Sequence, residues 1–524
     1  MRARSLRGNR EGSGLAIPCP GGPHREEHNS SPVMHGPEQS DTNIVPQKPA
    51  NNAPGRAAER GEGRTVTKGN TFQRTTHRTQ GRARVSQALT RVRQAAHRDK
   101  TQRMTALFHH LSVDCLREAY YALKRDAAPG VDGETWEEYG QDLEERLHDL
   151  HRRVHSQTYR AQPVRRQYIT KADGRQRPLG IAALEDKIVQ RAVVAILNQV
   201  YEGDFLGFSY GFRPKRGQHD ALDALAFGIT RTNVQWILDA DLAEFFESVS
   251  HTWLCRFLEH RIGDCRILRL IRKWLKAGVW EEGVVTEPER GVVQGAVISP
   301  LLSNLYAHYV LDLWANWWRK RHAHGTMIMV RYADDVVFGF QSYHDATRFL
   351  HALKARLARF ALQLHPTKTR LIEFGRFARA NRQRRGAGQP ETFTFLGFRH
   401  ICDRTRNGKY KLRRNTEKKR MRAKLKEIKD TLRRHWHKPI AEQGAWLSSV
   451  VRGYYGYYAV PTNGRLMEAF RQAVKGVWLR TLRRRSQRHR MPWERLERFA
   501  DRWLPKPHIL HPWPDARFAV KHPR

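Results

Sequence analysis

The feature that most constrains this sequence is a pair of adjacent acids, Asp334 and Asp335, that stands between two apolar segments. Residues 326–332 and 335–340 consist mainly of β-branched, aromatic and other apolar residues, which predicts two strands joined by a tight turn. Two carboxylates on one turn repel each other and are costly unless a cation lies between them. An ordinary polar turn is the alternative, but such turns usually contain Gly, Asn or Ser as well. The pattern therefore predicts a β-hairpin whose tip presents acids to a metal ion.

A second acidic strand end precedes this hairpin. Residues 234–240 form an apolar run that contains Asp239 and leads into Asp241, and the two-residue period of a strand places both acids on one face. Either acid is able to pair with the hairpin acids, and the spacing does not choose between them. Mg²⁺ binds a few carboxylates and keeps positions open for phosphate. In nucleotidyl transfer one ion activates the primer 3′-hydroxyl, and both stabilise the displacement that expels pyrophosphate. The residues by themselves thus predict a palm-type polymerase with two Mg²⁺ ions.

The excess of basic residues indicates a polyanionic partner. The 524 residues include 94 Lys+Arg and 52 Asp+Glu, a formal net charge of +42, and nucleic acid is the partner that would neutralise it. Residues 404–438 hold 16 Lys/Arg and three acids, too few for i,i+4 pairing to neutralise the segment. A solvated helix face is the alternative for such a run. We expect nucleic-acid contact there.

Hydropathy and cysteine content exclude other classes of protein. No stretch approaches about 18 uncharged apolar residues, so the sequence predicts no membrane span. The five cysteines form no CxxC pair, so neither a disulfide scaffold nor a zinc finger is expected.

Six motifs in order give the chain a family resemblance over about residues 85 to 524. They are RPLGI at 177–181, FSYGFRP at 208–214, the strand end at 241–246, QG with SPLLSN at 294–304, YADD at 332–335 and FLGF at 395–398. Together they resemble the group II intron-encoded reverse transcriptase/maturases of bacteria and organelles. A lone YADD would be a weak signal, whereas six motifs in order are a strong one.

This resemblance implies which residues bind metal and perform catalysis. Asp241, Asp334 and Asp335 match the catalytic carboxylates, and the family motif selects Asp241 over Asp239. The same three acids and the carbonyl of Leu242 are the implied ligands of the two Mg²⁺ ions. Since all three carboxylates are intact, an active enzyme is expected.

The resemblance also implies a set of substrate contacts. Lys171 and Arg177 match the fingertip cations on the incoming triphosphate, and Gln294 matches the residue that backs the nucleotide. Phe246 matches the ring that excludes a 2′-hydroxyl and so favours dNTPs, with Phe245 as the fallback and hydrophobic core as the alternative for both. Lys368 is implied to lie close enough to protonate the leaving pyrophosphate.

The implied fold is α+β. It is a right-hand polymerase, with fingers and a palm built on an antiparallel sheet, followed by an α-helical thumb/maturase domain and a small basic C-terminal region. The expected segments are a disordered basic tail at 1–80, an N-terminal extension and fingers at 81–233, the palm at 234–403, the thumb and maturase X region at 404–480, and a basic DNA-binding region at 481–524. The tail is expected from its Gly, Pro, Ser and Arg content.

One departure from the family pattern lies beside Gln294. Val292 and Val293 stand where relatives usually have Thr-Pro, and a proline there would fix the turn. We therefore expect Gln294 to be held less rigidly than in relatives.

The resemblance implies several partners. They are dNTPs, the group II intron RNA, and a DNA target and primer. The expected setting is the bacterial cytoplasm as a ribonucleoprotein, with an organelle less favoured, no membrane, and the oligomeric state left open. No cysteine follows Cys402, so no zinc-bound HNH endonuclease is expected, and cDNA synthesis would start from a pre-existing 3′ end. Some of the tyrosines at 454, 455, 457 and 458 are expected to be exposed for base stacking, with packing as the alternative.

Two other functions stay open at this stage. One is a reverse transcriptase of a retron, diversity-generating or CRISPR-linked system, although those usually lack the long maturase-like region. The other is an RNA-binding splicing cofactor without polymerase activity. The intact carboxylates count against that second function, and the altered turn before Gln294 keeps it open.

Replacement of Phe246 tests the implied sugar discrimination. Phe246→Ala or Phe246→Val removes the ring and should relax the preference for dNTPs over NTPs, because space for a 2′-hydroxyl is created. Primer extension with each nucleotide set measures the ratio. An unchanged preference would contradict the assignment of this residue.

Overall fold

The architecture is given by a computed structural model that describes residues 71–170, 176–485 and 491–521. The strands are β1 Val164–Thr170, β2 Gln176–Ile181, β3 Trp236–Asp241, β4 Val279–Glu281, β5 Val284–Thr286, β6 Met327–Tyr332, β7 Asp335–Phe340, β8 Arg370–Glu373, β9 Phe393–Phe395, β10 Phe398–Arg404 and β11 Tyr410–Thr416. The first helices are α1 Thr71–Arg98, α2 Val113–Tyr121, α3 Trp136–Tyr139, α4 Leu143–His155, α5 Leu184–Tyr201, α6 Gln218–Arg231, α7 Phe245–Ser248, α8 His251–Arg261 and α9 Cys265–Lys276. The later helices are α10 Ser299–Ala307, α11 Leu313–Arg321, α12 Tyr343–Arg359, α13 Ala378–Arg384, α14 Lys418–Arg434, α15 Ile440–Tyr458, α16 Gly464–Arg483, α17 Trp493–Trp503 and α18 Pro514–Lys521. A 3₁₀ turn lies at Phe108–His110 and a π-helical turn at His308–Asp312.

The central sheet contains both predicted acidic strand ends. In the described part of the chain it is antiparallel with the order β6-β7-β3-β8. The sheet is apolar on both faces, because it separates two hydrophobic cores. Along the edge strand β6, Met327 and Met329 belong to one core and Ile328 and Val330 to the other, and along the inner strand β7, Val336 and Phe338 belong to the first core and Val337 to the second. This two-sided burial explains the continuous apolar runs in the sequence, and the strands predicted at 234–240, 326–332 and 335–340 are confirmed within two residues.

A second sheet carries the RPLGI motif. Strand β2 pairs antiparallel with β1, β1 pairs parallel with β4, and β4 pairs antiparallel with β5. Gly180 in β2 lies so close to Val293 and Val164 that any side chain at this position would collide with them. The glycine therefore lets β2 approach the loop that contains Gln294.

The N-terminal helices pack on the first core. Helix α1 begins at Thr71, before the boundary expected at residue 81, and packs against α2 and α5. Its residues Val85, Leu89, Val92 and Ala96 recur at helical spacing and face the core, which is why this stretch is ordered despite its many arginines. The expected disorder of the tail falls mostly on residues 1–70, which lie outside the described residues.

The helices after residue 417 surround the second core, which continues across the central sheet. Tyr454, Tyr455 and Tyr458 are buried there, and the half-buried Tyr457 donates a hydrogen bond of 2.7 Å to the carbonyl of Leu396. The expectation that some of these tyrosines are exposed is therefore wrong, and packing is what the structure has. The reason is that α15 has neighbours on several sides, so that rings on different faces all find a partner. Across the described ranges, no helix is long and apolar enough to cross a membrane.

The segment around α18 returns to α6. Asp223 of α6 is buried and bonds to Arg414 of β11 at 2.9 Å and to Arg517 of α18 at 3.1 Å. At the other end of α6, Arg231 donates to Asp515 at 2.7 Å. One carboxylate thus joins three elements that are far apart in sequence.

Asp223 should contribute far more to stability than Asp515. Asp223→Asn leaves the guanidinium of Arg414 buried without its carboxylate, which costs about 3 kcal/mol in the free energy of unfolding. Asp515→Asn removes an exposed partner and should cost less than about 1 kcal/mol. Urea unfolding of both variants measures the difference. Equal losses would show that the buried carboxylate is not what ties α18 and β11 to α6.

Candidate active site

The tip of the β6–β7 hairpin has a fixed backbone. Ala333 has a φ of +57°, in the left-handed region, which turns the chain tightly between Tyr332 and Asp334. Gly211 of the FSYGFRP motif lies against the backbone of Ala333, and a Cβ at Gly211 would collide with it. The hairpin tip is therefore seated directly on that motif.

A buried arginine holds the hairpin from below. Arg331 has 0% exposure, and its guanidinium donates to Asp312 at 2.7 and 2.6 Å, to the Ser209 hydroxyl at 2.7 Å and to the Asn304 side-chain oxygen at 3.0 Å. It also donates to the carbonyl of Ala333 at 3.1 Å. Residues of three of the sequence motifs, FSYGFRP, SPLLSN and YADD, therefore meet at this one side chain.

Sequence reasoning missed both members of this ion pair. The available signal was an arginine in the middle of a strand that is otherwise apolar, since such a charge is buried only with a partner. Asp312 gave no signal, because the π-helical turn at His308–Asp312 shifts the helix face away from the regular period.

The register of the central sheet brings the predicted carboxylates together. Asp241 at the end of β3 lies opposite Asp335 at the start of β7, and Asp335 lies opposite Tyr332. The Lys368 ammonium contacts Asp241 at 2.5 Å, so Lys368 also reaches this site. Asp239 lies two residues further from the tip, opposite Val337.

The two acids of β3 thus have different surroundings. Asp239 faces the guanidinium of Arg370 at 3.9 Å, whereas Asp241 reaches the hairpin acids. Of the two acids, only Asp241 is level with the turn of the hairpin, so its position favours Asp241 as the partner of the hairpin acids.

Electrostatic crowding is evident in the pKa values. Loss of hydration raises the pKa of Asp335 to about 7, and the charges of Asp334, Asp241 and Asp239 add to the rise, although the residue is exposed at the surface. Loss of hydration also raises the pKa of Asp334, aided by Asp241 and opposed by Arg177 and Lys368. These groups therefore interact as one cluster that would gain from a bound cation.

The donor set suits a hard divalent cation. It consists of carboxylate oxygens and a backbone carbonyl, the ligands that Mg²⁺ prefers. The antiparallel backbone bridge between Leu242 and Leu364 consists of two hydrogen bonds. The Ala243 N–H donates one of them and the Asp241 carbonyl accepts the other, so the Leu242 carbonyl takes part in neither. Within the described ranges, no group of three or more His, Cys, Asp and Glu side chains is positioned to hold a metal ion. Within the carboxylate cluster, the side chain of Asp241 accepts a hydrogen bond from Lys368.

The predicted nucleotide contacts lie beside this cluster. Arg177 donates to the side-chain oxygen of Gln294 at 3.0 Å. Lys171 lies outside the described residues. The Gly180 N–H donates to the Gln294 carbonyl at 2.7 Å, and Gly295 follows with a φ of +111°.

The loop before Gln294 is tied to the chain around Phe246. The Val292 N–H donates to the Phe246 carbonyl at 2.7 Å, and the Gly291 N–H donates to the Val249 carbonyl at 2.7 Å. These bonds anchor the turn without a proline. The expected looser placement of Gln294 is therefore not required by the Val292-Val293 sequence.

The structure separates the two phenylalanines of the β3 motif. Glu244 has a φ of +45°, which turns the chain sharply after β3. Phe245 is then 3% exposed within the core, whereas Phe246 is half-buried. The fallback residue is thus a core residue, and Phe246 is the one with a partly free ring.

Comparison with known proteins assigns the central part of the chain. Residues 169–400 match the family model described as reverse transcriptase (RNA-dependent DNA polymerase), and this part is a mixed α+β reverse transcriptase domain. The chain is 41% identical over 180 residues to Protein YkfC of Escherichia coli strain K12, covering 34% of this chain and 47% of that protein. It is 36% identical over 200 residues to the group II intron-encoded protein LtrA of Lactococcus lactis subsp. cremoris, covering 37% of this chain and 32% of LtrA.

A plant relative extends the comparison to organelles. Nuclear intron maturase 3, mitochondrial, of Arabidopsis thaliana is 30% identical over 125 residues, or 24% of this chain and 17% of that protein. The aligned regions span less than half the length of each of these relatives.

The raised pKa of Asp335 predicts a pH dependence with a defined sign. Because its pKa in the folded protein is about 7 instead of 3.8, the folded state binds this proton more tightly than the unfolded chain does. The stabilisation from the proton is complete below about pH 4 and is lost as pH rises through 7. Asp335→Asn should therefore raise the Tm of the metal-free protein by about 1–2 °C at pH 8. The gain should shrink as pH falls below 7, as measured by calorimetry.

Asp149 provides a control of opposite sign. Hydrogen bonds from Arg153 and Arg152 lower the pKa of Asp149, so Asp149→Asn should not raise the Tm at pH 8. A rise in both variants would point to a general effect of removing negative charge.

Proposed function

We propose that this chain, whose residues 169–400 are a reverse transcriptase domain related to those of group II intron-encoded proteins, is an RNA-directed DNA polymerase that also binds its own intron RNA. In that role it promotes splicing and retromobility of the intron. The observation that carries the proposal is the position of Asp241 opposite Asp335, on neighbouring strands whose hairpin tip is held by the buried Arg331.

The proposed layout follows the elements described above. The central sheet with α6, α10 and α12 is the palm, β1 and β2 with the N-terminal helices are the fingers, and α14 to α16 are the thumb and maturase region. The segment from residue 481 is proposed to contact DNA. The hydrogen bond from Tyr457 to Leu396 supports a thumb that is attached through the FLGF motif.

Catalysis is proposed to depend on Asp241, Asp334 and Asp335, with the Leu242 carbonyl, as ligands for two Mg²⁺ ions. When bound, the ions would supply activation of the primer 3′-hydroxyl and charge neutralisation on the triphosphate. The chain itself supplies the fixed geometry, because the strand register and the turn at Ala333 hold the acids in place before substrate arrives.

Nucleotide binding is proposed for the groups beside the acids. Arg177 and Lys171 are proposed to bind the triphosphate, and Gln294 to support the base pair from behind. Phe246 closes the space beside C2′ of the sugar. Lys368 lies within hydrogen-bond distance of Asp241, and we propose that its ammonium protonates the leaving pyrophosphate.

RNA binding is proposed for the exposed side of α14. Its exposed cations are Lys418, Lys419, Arg420, Arg422, Lys426, Lys429, Arg433 and Arg434. Its buried residues Ile428 and Leu432 face the second core. This division leaves a basic face on a rigid helix, which suits phosphate contacts with a folded RNA. A bacterial cytoplasmic ribonucleoprotein is the proposed setting, and the similarity to a group II intron-encoded protein of the bacterium Lactococcus lactis supports it.

Paired substitutions in β3 test the assignment of the catalytic acid. Asp241→Asn should lower primer extension on an RNA template by about 10³-fold, because a metal ligand worth several kcal/mol is lost. Asp239→Asn lies two residues away on the same strand and should keep activity within about tenfold. Primer extension with dNTPs and Mg²⁺ measures both, with Asp334→Asn as a second inactive variant.

Intron RNA binding provides the complementary measurement. Both β3 variants should bind the intron RNA as the wild type does, since neither touches α14. Loss of extension in Asp239→Asn alone would reverse the assignment. If the wild type itself binds RNA but extends no primer, the chain is a splicing cofactor and the polymerase proposal fails.

A further inference from the structure

A cavity of about 560 Å³ lies where α6, β11 and the segment before α18 meet. Its walls include Arg376, Lys409, Lys411 and Trp513. A volume of this size is within the range of small-molecule sites in proteins and can hold a single nucleotide.

The cavity is far from the carboxylate cluster. Glu373 of β8 lies opposite Trp236, at the end of β3 that is remote from Asp241. Arg376 follows that end of β8, and the intervening length of β3 amounts to about 16 Å. The cavity therefore belongs to the opposite end of the central sheet, outside the site proposed for polymerisation.

The charge of the cavity is strongly positive. Its wall contains one acid, Asp515, whose carboxylate is bound to Arg231 at 2.7 Å. Arg376, Lys409 and Lys411 have no carboxylate partner within the described ranges. An anion is therefore the ligand that this wall would attract.

An aromatic surface accompanies these cations. Trp513 is 56% exposed, although tryptophan is normally among the more buried residues. The Lys411 ammonium lies 5.8 Å from the centre of its ring. A large exposed ring beside unpaired cations has the features of sites that stack a base and bind its phosphate.

We propose that this cavity binds an unstacked nucleotide of a single nucleic-acid strand, with its base against Trp513 and its phosphate on Lys409 and Lys411. Lys409 directly precedes β11, Lys411 is the second residue of that strand, and both line the cavity. The site would act as a second attachment point for nucleic acid, in addition to the polymerase cleft. RNA and DNA strands offer the same base and phosphate, and they differ in the 2′-hydroxyl.

The test separates the two sites. The full chain is first saturated with a primer–template duplex that has a dideoxy-terminated primer. Binding of a labelled single strand of about ten nucleotides is then measured by fluorescence anisotropy, once with RNA and once with DNA of the same sequence. The variants are Trp513→Ala, Trp513→Phe and the double substitution Lys409→Gln with Lys411→Gln.

The stacking contact predicts a specific order of affinities. Trp513→Ala should weaken binding of the single strand about tenfold, and Trp513→Phe should restore most of it. The double lysine variant should reduce the slope of log K against log[salt] by about 1.4, since two phosphate contacts are lost. Tighter binding of RNA or of DNA identifies which strand is the natural source.

Matched controls exclude nonspecific effects. Trp317 is 37% exposed on α11, outside the cavity, and Lys354 is exposed on α12. Trp317→Ala and Lys354→Gln should change neither affinity nor salt slope. The proposal is overturned if Trp513→Ala binds the strand no more weakly than Trp317→Ala does, or if the saturated protein binds no single strand. It is also overturned if polyglutamate displaces the strand from the wild type and Trp513→Ala has lost no affinity.

Primer extension by the same preparations keeps this proposal apart from the polymerase. The variant with Lys409→Gln and Lys411→Gln should extend a primer as the wild type does, because both lysines lie outside the carboxylate cluster and outside α14. Normal extension without binding of a second strand contradicts the cavity alone. Binding of the second strand by a protein that extends nothing contradicts the polymerase alone.

Discussion

The arrangement of the acids depends on one buried ion pair, between Arg331 and Asp312. Removing two charges from water is costly, and the cost is offset only when geometry and additional hydrogen bonds are favourable. Here the guanidinium is bonded by a bidentate carboxylate, a hydroxyl, an amide oxygen and a backbone carbonyl. Because those partners come from separate parts of the chain, the pair fixes the mutual positions of segments that share no local contact.

This fixation matters because the carboxylate cluster opposes folding. Loss of hydration raises the pKa of both Asp334 and Asp335, and neighbouring carboxylates add to each rise. A flexible hairpin would relieve the repulsion by moving its tip away from Asp241. The guanidinium beneath the turn opposes that movement through its bond to the Ala333 carbonyl, so the acids stay close together. Packing on both faces of the sheet provides the remaining rigidity.

Much of the site could be predicted, and the reason is local. Strands 327–332 and 335–340 are buried on both faces, so their apolar runs are visible in the sequence, and the acids interrupt those runs. The motifs then supplied Arg177, Gln294 and Lys368, which the structure brings close to the acids or to one another. Asp312 could not be predicted, because the π-helical turn at His308–Asp312 shifts it away from the regular helical period. The tyrosines of α15 were expected to be partly exposed and are packed instead. The number of elements that surround a helix is a property of the tertiary structure, which composition does not reveal.

The return of α18 to α6 also imposes an order on synthesis. Arg231 and Asp515 are separated by 284 residues, and Asp223 receives Arg517 over a similar interval. During translation, α6 and the central sheet are made long before their last partner emerges from the ribosome. Until then, the carboxylate of Asp223 has at most Arg414 as a counter-ion, and the Phe227 ring lacks its stacked neighbour Phe518. The central sheet and α6 therefore have an open flank for most of the time that the chain spends on the ribosome, and this flank closes only once α18 has emerged.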